Sequence, residues 1–552
     1  MLSSRKGFGA FLVNLSAIII ASLLFAASFP NLLVKNGIPF LAWFAYVPIF
    51  WLISRVRLRT SFFWGALYGY IAYSLFNYWL SVFHPLAGLI VNFIYLCYFA
   101  VLFPVLKLSG ILFPKRGYIV QWVIWIAYEY LRTQGFLGYS YGITGYSQWT
   151  QIPIIQIASI FGVWGVSALV VFPSVFLGAS FKDWLNTGSF GECLASVRGF
   201  FRREWLSAGV WALCFVAALV YGFVSPQDYS DAPKARIALI QHNTDPWRGD
   251  MVDYRNNYRI LKRLSEEALA VEPKPDLVVW SETAFVPRIY WHIHYRGDEE
   301  SYQLVRELLD FLDKQDVPFI IGNDDGRREV NEEGVYDRVD YNAVMLFQRS
   351  EMVQLYRKLH LVPFTEHFPY RKQLPMIYEA LVNADTHFWK TGNEATVFEA
   401  AISSRPETPL KFSTPICFED TFGYLSRNFV RSGAELIVNL SNDAWSRSLP
   451  AQNQHLSMAV FRAVENRRSM VRSTASGQTC SIDPNGRVLA LAAPFTESQL
   501  TVETPIVSGE TLYTRYGDIW AQLFLAAALA LLLAGAVRFT IIKLFLKKPT
   551  GK

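Results

Sequence analysis

Eight long apolar runs constrain this chain more than any other feature, at about 9–29, 37–54, 61–82, 86–106, 117–131, 153–181, 205–225 and 519–542. Most reach the ~20 residues that a helix needs to cross a bilayer, and 117–131 is the shortest. A chain of 552 residues that is 52% hydrophobic and 17% charged is too apolar for a water-soluble globule. Basic residues gather in alternate loops: Arg5 and Lys6; Arg55, Arg57 and Arg59; Lys107, Lys115 and Arg116; Lys182, Arg198, Arg202 and Arg203; Lys543, Lys547 and Lys548. Cytoplasmic loops accumulate Lys and Arg, so eight spans place both termini in the cytoplasm and the stretch between the seventh and eighth outside it. The first run, from Arg5-Lys6 to "FAASF", also has the look of a secretory signal, but it exceeds the usual apolar core of one, and a retained first span is expected.

Within the helical part, Glu129 and Arg132 lie one helical turn apart near the outer end of the fifth run. Ionisable groups there are costly unless paired or near water, which suggests an intrahelical pair at the interface or, alternatively, a headgroup contact. The aromatic-rich 136–149 segment reads as an interfacial belt.

From 226 to 517 the character changes, giving three parts: a seven-helix membrane domain (1–225), a domain outside the membrane (226–517), and a last helix with its tail (518–552). The middle part holds most of the acidic residues and six short β-type runs, "ARIALIQ", "DLVVW", "VPFIIG", "NAVMLF", "LKFSTPIC" and "AELIVNL". Tyr258, Leu261, Leu264 and Ala268 fall at helical spacing. Such a mixture predicts an α/β sandwich with helices covering its sheets. No internal repeat is visible. A net charge of +6 with no basic stretch interleaved with aromatics gives no reason to expect a nucleic-acid partner. Five scattered cysteines without a C-x-x-C pair suggest neither a disulfide framework nor a zinc site, and no metal or cofactor is expected. Cys97, Cys193, Cys214 and Cys480 read as small apolar filler. His84 and His455 lack a second ligand at metal spacing and read as structural.

Three polar residues end apolar approaches in this domain: Glu282 in "DLVVWSETAF", Lys358 in "LYRKLHLVPFTEHF" and Cys417 in "STPICFEDTF". A cysteine nucleophile needs a base, because a free thiol is mostly protonated at neutral pH, and Glu282 is of the right type. The oxyanion formed on attack at a carbonyl needs a fixed positive charge or donors, of the kind that a lysine such as Lys358 and a backbone N–H would supply. Taken singly, each residue has a plainer reading: solvated strand ends for the first two, a buried filler thiol for the third.

The order "WSETA", "KLHLVPFTE", "PICFE" resembles the carbon–nitrogen hydrolase, or nitrilase, superfamily. Set between seven spans and one, it resembles the apolipoprotein N-acyltransferase family, as do "YEYLRT", "GYSYGITGYSQW", "NLSNDAW", "QHLSMAVFRAVENRRSMVRSTASG", "IDPNGR" and "TLYTRYGD". The resemblance implies a nitrilase-like αββα sandwich on the periplasmic side of a bacterial inner membrane. It also implies transfer of a fatty acyl chain from a phospholipid to the α-amino group of an S-diacylglyceryl-cysteine at a lipoprotein N-terminus, by a ping-pong thioester route and by a monomer. On the same basis Cys417 is the nucleophile, Glu282 the base and Lys358 the oxyanion stabiliser. Glu366 and Glu419 match supporting positions, and Trp247 matches a mobile-loop tryptophan near the acyl path. Departures are Phe418 where Tyr is frequent, Thr365 where Gly is, and Ser446-Arg447 where Phe-Gly is usual; none removes one of the three residues. Two rival readings exist, a membrane-bound amidase for another amide or amine substrate, and a transporter or lipid-binding protein with an idle outer domain. Eight spans are more than a tether needs, and a transporter's inverted repeat is not seen.

Overall fold

In the computed structural model the chain divides into two units, Met1–Ser225 with Asp518–Lys552, and Pro226–Gly517. The structure describes residues 2–83, 85–182, 189–330, 334–383 and 388–546. His84, Lys547 and Lys548 lie outside the described residues.

The first unit is helical. Among the described residues, five helices are long and apolar enough to cross a membrane: Phe8–Ser28, Ala87–Leu112, Ala158–Ser180, Trp205–Val224 and Ile519–Ile542. The other three apolar runs fold differently. Residues 37–54 break into a 3-10 turn, Pro39–Trp43, and a nine-residue helix, Val47–Arg55, with a proline at the start of each. The third run forms Leu58–Phe76, and the fifth a helix of only 15 residues, Gly117–Leu131. Between the sixth and seventh runs, Phe190–Arg203 is a further helix, capped by Ser189 and closing on Arg202 and Arg203.

Two readings of this unit are corrected. Glu129 and Arg132 are both buried and do not bond each other; each reaches the segment that follows. Glu129 Oε1 accepts from the backbone N–H of Thr144 at 3.1 Å, from its hydroxyl, and from Trp125 Nε1 at 3.2 Å. Arg132 Nη1 donates to the carbonyls of Tyr139 and Tyr141 at 3.3 and 2.9 Å and to the Tyr95 hydroxyl. The "GYSYGITGYSQW" segment is therefore not a surface belt: nearly all of residues 138–149 are buried. Irregular backbone away from water must have its polar groups satisfied by protein, and these two charges do part of that. All five cysteines are free; Cys193 and Cys480 are buried, and Cys97 and Cys214 are exposed on the apolar helices Ala87–Leu112 and Trp205–Val224.

The second unit contains two six-stranded sheets. The first runs in the order β12 (Ser498–Pro505), β1 (Lys234–Gln241), β2 (Leu277–Trp280), β3 (Phe319–Val330), β4 (Tyr336–Gln348), β5 (Glu351–Arg357). The second runs β11 (Val488–Leu491), β10 (Cys480–Ile482), β9 (Ser469–Thr474), β8 (Leu436–Ser441), β7 (Arg405–Ser413), β6 (Val397–Ile402). In each sheet three neighbouring strands are parallel, β1–β2–β3 and β7–β8–β9, and the flanking pairs are antiparallel. Helix Met251–Leu269 buries the predicted stripe of Tyr258, Leu261, Leu264 and Ala268. Together with helix Glu299–Leu312 it packs on Ile240, Val278, Trp280 and Phe319 of the first sheet. Helix Leu449–Asn466, buried along most of its length, lies against β9. Ser473 on β9 joins the sheets by donating to the carbonyl of Val279 on β2 at 3.0 Å. The result is the expected α/β sandwich.

Candidate active site

The three polar residues picked out at the ends of apolar runs gather from both sheets. Glu282 follows β2, and Cys417 follows β7. Lys358 follows β5, which lies two antiparallel steps from β3 and so runs in the same direction as β2 and β3. The rim at the carboxyl ends of parallel strands is where α/β sheets usually place ligands. Gly322 on β3 permits the Glu282 turn to sit close, since a Cβ there would lie 2.8 Å from Glu282 Cα. Asn342 on β4 links two of the residues: its amide donates to Glu282 Oε1 at 2.8 Å and its carbonyl accepts from the Lys358 N–H at 2.9 Å. The other oxygen of Glu282 accepts from the Asn442 N–H at 2.9 Å, fixing the carboxylate at both ends.

Lys358 Nζ is buried between two carboxylates, 2.9 Å from Glu366 Oε1 and 3.4 Å from Glu282 Oε1. Burial works against its charge, but Glu366 and Glu282 outweigh that and hold the ammonium above its ordinary range. Glu366 is pushed up by burial against the pull of Lys358, while its second oxygen accepts from the Val362 N–H at 2.9 Å. Cys417 is buried and feels both neighbours: burial first, then Glu282, raise its thiol well above the usual range, and Lys358 opposes them. At rest it is therefore a thiol, and a reaction through sulfur requires a base at the moment of attack.

Cys417 itself has φ of +49° and opens a short 3-10 turn, Cys417–Thr421. Glu419, two residues on, ties this turn to the lysine's strand. Its Oε1 accepts from the N–H groups of Leu359 and His360 at 2.7 and 3.0 Å, Oε2 from Ile416 N–H at 2.7 Å, and both from the Tyr356 hydroxyl. Burial nevertheless pushes this carboxyl up to about 7. Phe418 packs its ring edge-on to Phe422, beside His360, whose Nδ1 is 2.8 Å from the Tyr424 hydroxyl. Trp247 is 56% exposed on the loop after β1. Arg447, one of the departures from the family pattern, donates to Asp245 at 2.9 Å, two residues before Trp247. Helix Pro375–Asn383 has no buried residue and, with Leu374 before it, exposes Met376, Ile377 and Val382.

Sequence reasoning missed Asn342, Tyr356 and a buried charged set behind Cys417 formed by Asp420, Asp443, His455 and Arg472. A signal existed for the first: Asn342 is a lone amide opening the otherwise apolar "NAVMLF".

Two facing sheets with Glu, Lys and Cys side chains at one rim define a carbon–nitrogen hydrolase domain, here in one chain with a set of membrane-type helices. The carbon–nitrogen hydrolase family profile matches residues 236–511, and that of the apolipoprotein N-acyltransferase N-terminal domain matches residues 21–176. Apolipoprotein N-acyltransferase 1 of Treponema denticola is 45% identical over 99% of this chain and 100% of its own length, and that of Treponema pallidum is 45% identical over 97% of each. The chain belongs to the apolipoprotein N-acyltransferase family. Among solved structures, Saccharomyces cerevisiae Nit3, a member of branch 10 of the nitrilase superfamily, is 18% identical and covers 50% of this chain and 90% of its own, with a TM-score of 0.33.

Proposed function

We propose that this membrane enzyme carries out the last acylation of lipoprotein maturation, moving a fatty acyl chain from a phospholipid to the α-amino group of an S-diacylglyceryl-cysteine. The observation that carries the mechanism is the buried ammonium of Lys358 between Glu282 and Glu366, both it and Glu282 within electrostatic reach of the Cys417 thiol. In the first half-reaction Glu282 takes the thiol proton as sulfur attacks the ester carbonyl. The oxyanion is stabilised by Lys358, the C–O bond breaks, and the proton passes to the glycerol oxygen, releasing a lysophospholipid. In the second, the lipoprotein amine attacks the thioester and gives a proton to Glu282; the C–N bond forms, the C–S bond breaks, and the thiol is regenerated. Glu366 holds Lys358, Glu419 holds the cysteine turn to the lysine strand, and Phe418 and Trp247 border the substrate path. The apolar surface of helix Pro375–Asn383 supports a lipid substrate.

We read the chain as a monomer with eight spans and its α/β domain on the periplasmic side of the inner membrane; the alternation of basic loops supports the topology. Reporters fused near Ser230 and at Lys552 then register on opposite sides; a shared side removes this topology. The function is tested by mass spectrometry of a lipoprotein N-terminus from cells depleted of the protein and rescued with it. Triacylated termini return on rescue with the wild type and not with Cys417→Ala. Unchanged termini on depletion would favour an amidase acting on another substrate.

A further inference from the structure

Behind Cys417 lies a second set of buried charges that the acyl-transfer steps leave unused. Asp420, three residues after Cys417 in the same turn, has one oxygen 2.7 Å from His455 Nε2 and the other paired with Arg472 Nη1. His455 Nδ1 lies 3.0 Å from Asp443 Oδ1, and that oxygen also accepts from the Ser441 hydroxyl at 3.0 Å. Ser441 ends β8 beside the cysteine turn, since Leu440 just before it donates its N–H to the Pro415 carbonyl at 3.3 Å. The contacts run from the end of β8 through Ser441, Asp443, His455 and Asp420 to the turn that carries the thiol.

An imidazole with carboxylate oxygens on both nitrogens donates to both only as a cation. Arg472 Nη2 approaches the same ring at 3.3 Å and Asp443 Oδ2 at 3.5 Å, so the charged groups seen to face His455 among the described contacts are Asp420, Arg472 and Asp443. Burial and Arg472 disfavour the imidazolium, but the two carboxylates prevail and raise His455 to about 9. Two carboxylates and two cations thus balance in a buried cluster. Cys417 needs such support, because its φ of +49° lies where a side-chain-bearing residue stays only if its surroundings hold it.

We propose that His455, bridging Asp420 and Asp443 as an imidazolium, is a positioning residue for Cys417 that fixes the thiol-bearing turn and sets how readily the thiol ionises. This rests on reading Cys417 as the nucleophile. It is tested on the full-length protein without any acyl donor, by following iodoacetamide alkylation of the Cys417 peptide by mass spectrometry as a function of pH. Failure of acyl transfer therefore leaves the result intact.

In His455→Gln the charge of Asp443 is no longer balanced, which disfavours the thiolate. The midpoint of the rate–pH profile rises by about one pH unit and alkylation at neutral pH slows about tenfold. Ser441→Ala, which removes a hydroxyl donor from Asp443 and leaves its charge less compensated, gives the same direction of change, and the double variant is no slower than the slower single one, as expected of residues acting as a unit. A wild-type profile in His455→Gln, a slowing that merely tracks its loss of folded protein in a melting curve, or single effects that multiply would each overturn the proposal. Should His455→Gln not fold, Ser441→Ala decides: a raised midpoint supports the proposal and an unchanged one overturns it.

Discussion

Two buried charge clusters meet at Cys417, and they are built differently. In front of the thiol, Glu282 and Glu366 share one ammonium, Lys358, so the cluster carries more negative than positive charge. Behind it, Asp420 and Asp443 face both His455 and Arg472, and the charges match. Burying ions is expensive in either case, and the cost is offset only where each charge meets partners of good geometry. The balanced cluster satisfies that condition and suits a brace. The unbalanced one leaves a carboxylate and an ammonium whose interactions improve when a proton is taken up or an oxyanion forms, which suits chemistry.

The comparison breaks most sharply if the front cluster can be altered cheaply. Glu282→Gln removes the base, and acyl-enzyme formation by the purified protein falls about 10²–10⁴-fold. Lys358→Met removes the positive charge and costs about 10²–10³-fold. Neither lowers the melting temperature as it lowers the rate; a variant whose rate loss is explained by unfolding would place the front cluster with the brace.

Smaller effects belong to the parts that hold the two clusters in register. Glu419→Gln keeps one acceptor but turns an amide group toward N–H donors, leaving at least one of Ile416, Leu359 or His360 unpaired. The expected loss is about 1–3 kcal/mol of stability, read as a lower melting temperature, with activity reduced through the displaced lysine strand. A wild-type melting curve for this variant would show that the tie is dispensable.

Smallest is the pH response of the balanced cluster. His455 binds its proton more tightly folded than unfolded, at about 9 against 6.5, so its contribution to stability is full below about 6.5 and is lost as pH rises through 9. Asp443 is lowered from 3.8 to about 2, with burial opposing and His455 the largest favourable influence, so its contribution is full above 3.8 and is lost as pH falls through 2. Melting temperature should therefore decline between pH 6.5 and 9 in the wild type, and this decline should flatten in His455→Gln. An equal slope in both proteins would remove His455 as its source.

The front cluster was legible in the sequence and the rear one was not, for a physical reason. Glu282, Lys358 and Cys417 each stand out as a polar residue closing an apolar run, a local signal. Asp443, His455 and Arg472 sit among other polar residues or, for Arg472, interrupt the β9 segment "SMVRST" so that it does not read as a buried strand. Their meaning arises only when β8, β9 and helix Leu449–Asn466 come together. The fold divides likewise. All six apolar runs singled out between 226 and 517 form strands, whereas β5, β6 and β9 to β12 lack a clean apolar pattern. In the helical unit the buried residues 138–149 are hydrogen-bonded by Glu129 and Arg132, and no local pattern announces a polar loop that meets two charges inside the helices.

The central claim is that Cys417 carries the acyl group between the two half-reactions. Purified protein is incubated with acyl-labelled phospholipid and no acceptor, and the labelled peptide is identified. The account predicts one acyl group on Cys417, removable by neutral hydroxylamine, absent in Cys417→Ala, and discharged when a diacylated peptide with a free N-terminal amine is added but not when that amine is blocked. Label on Cys97, Cys193, Cys214 or Cys480 instead, or acyl transfer by the Cys417→Ala protein, would contradict it.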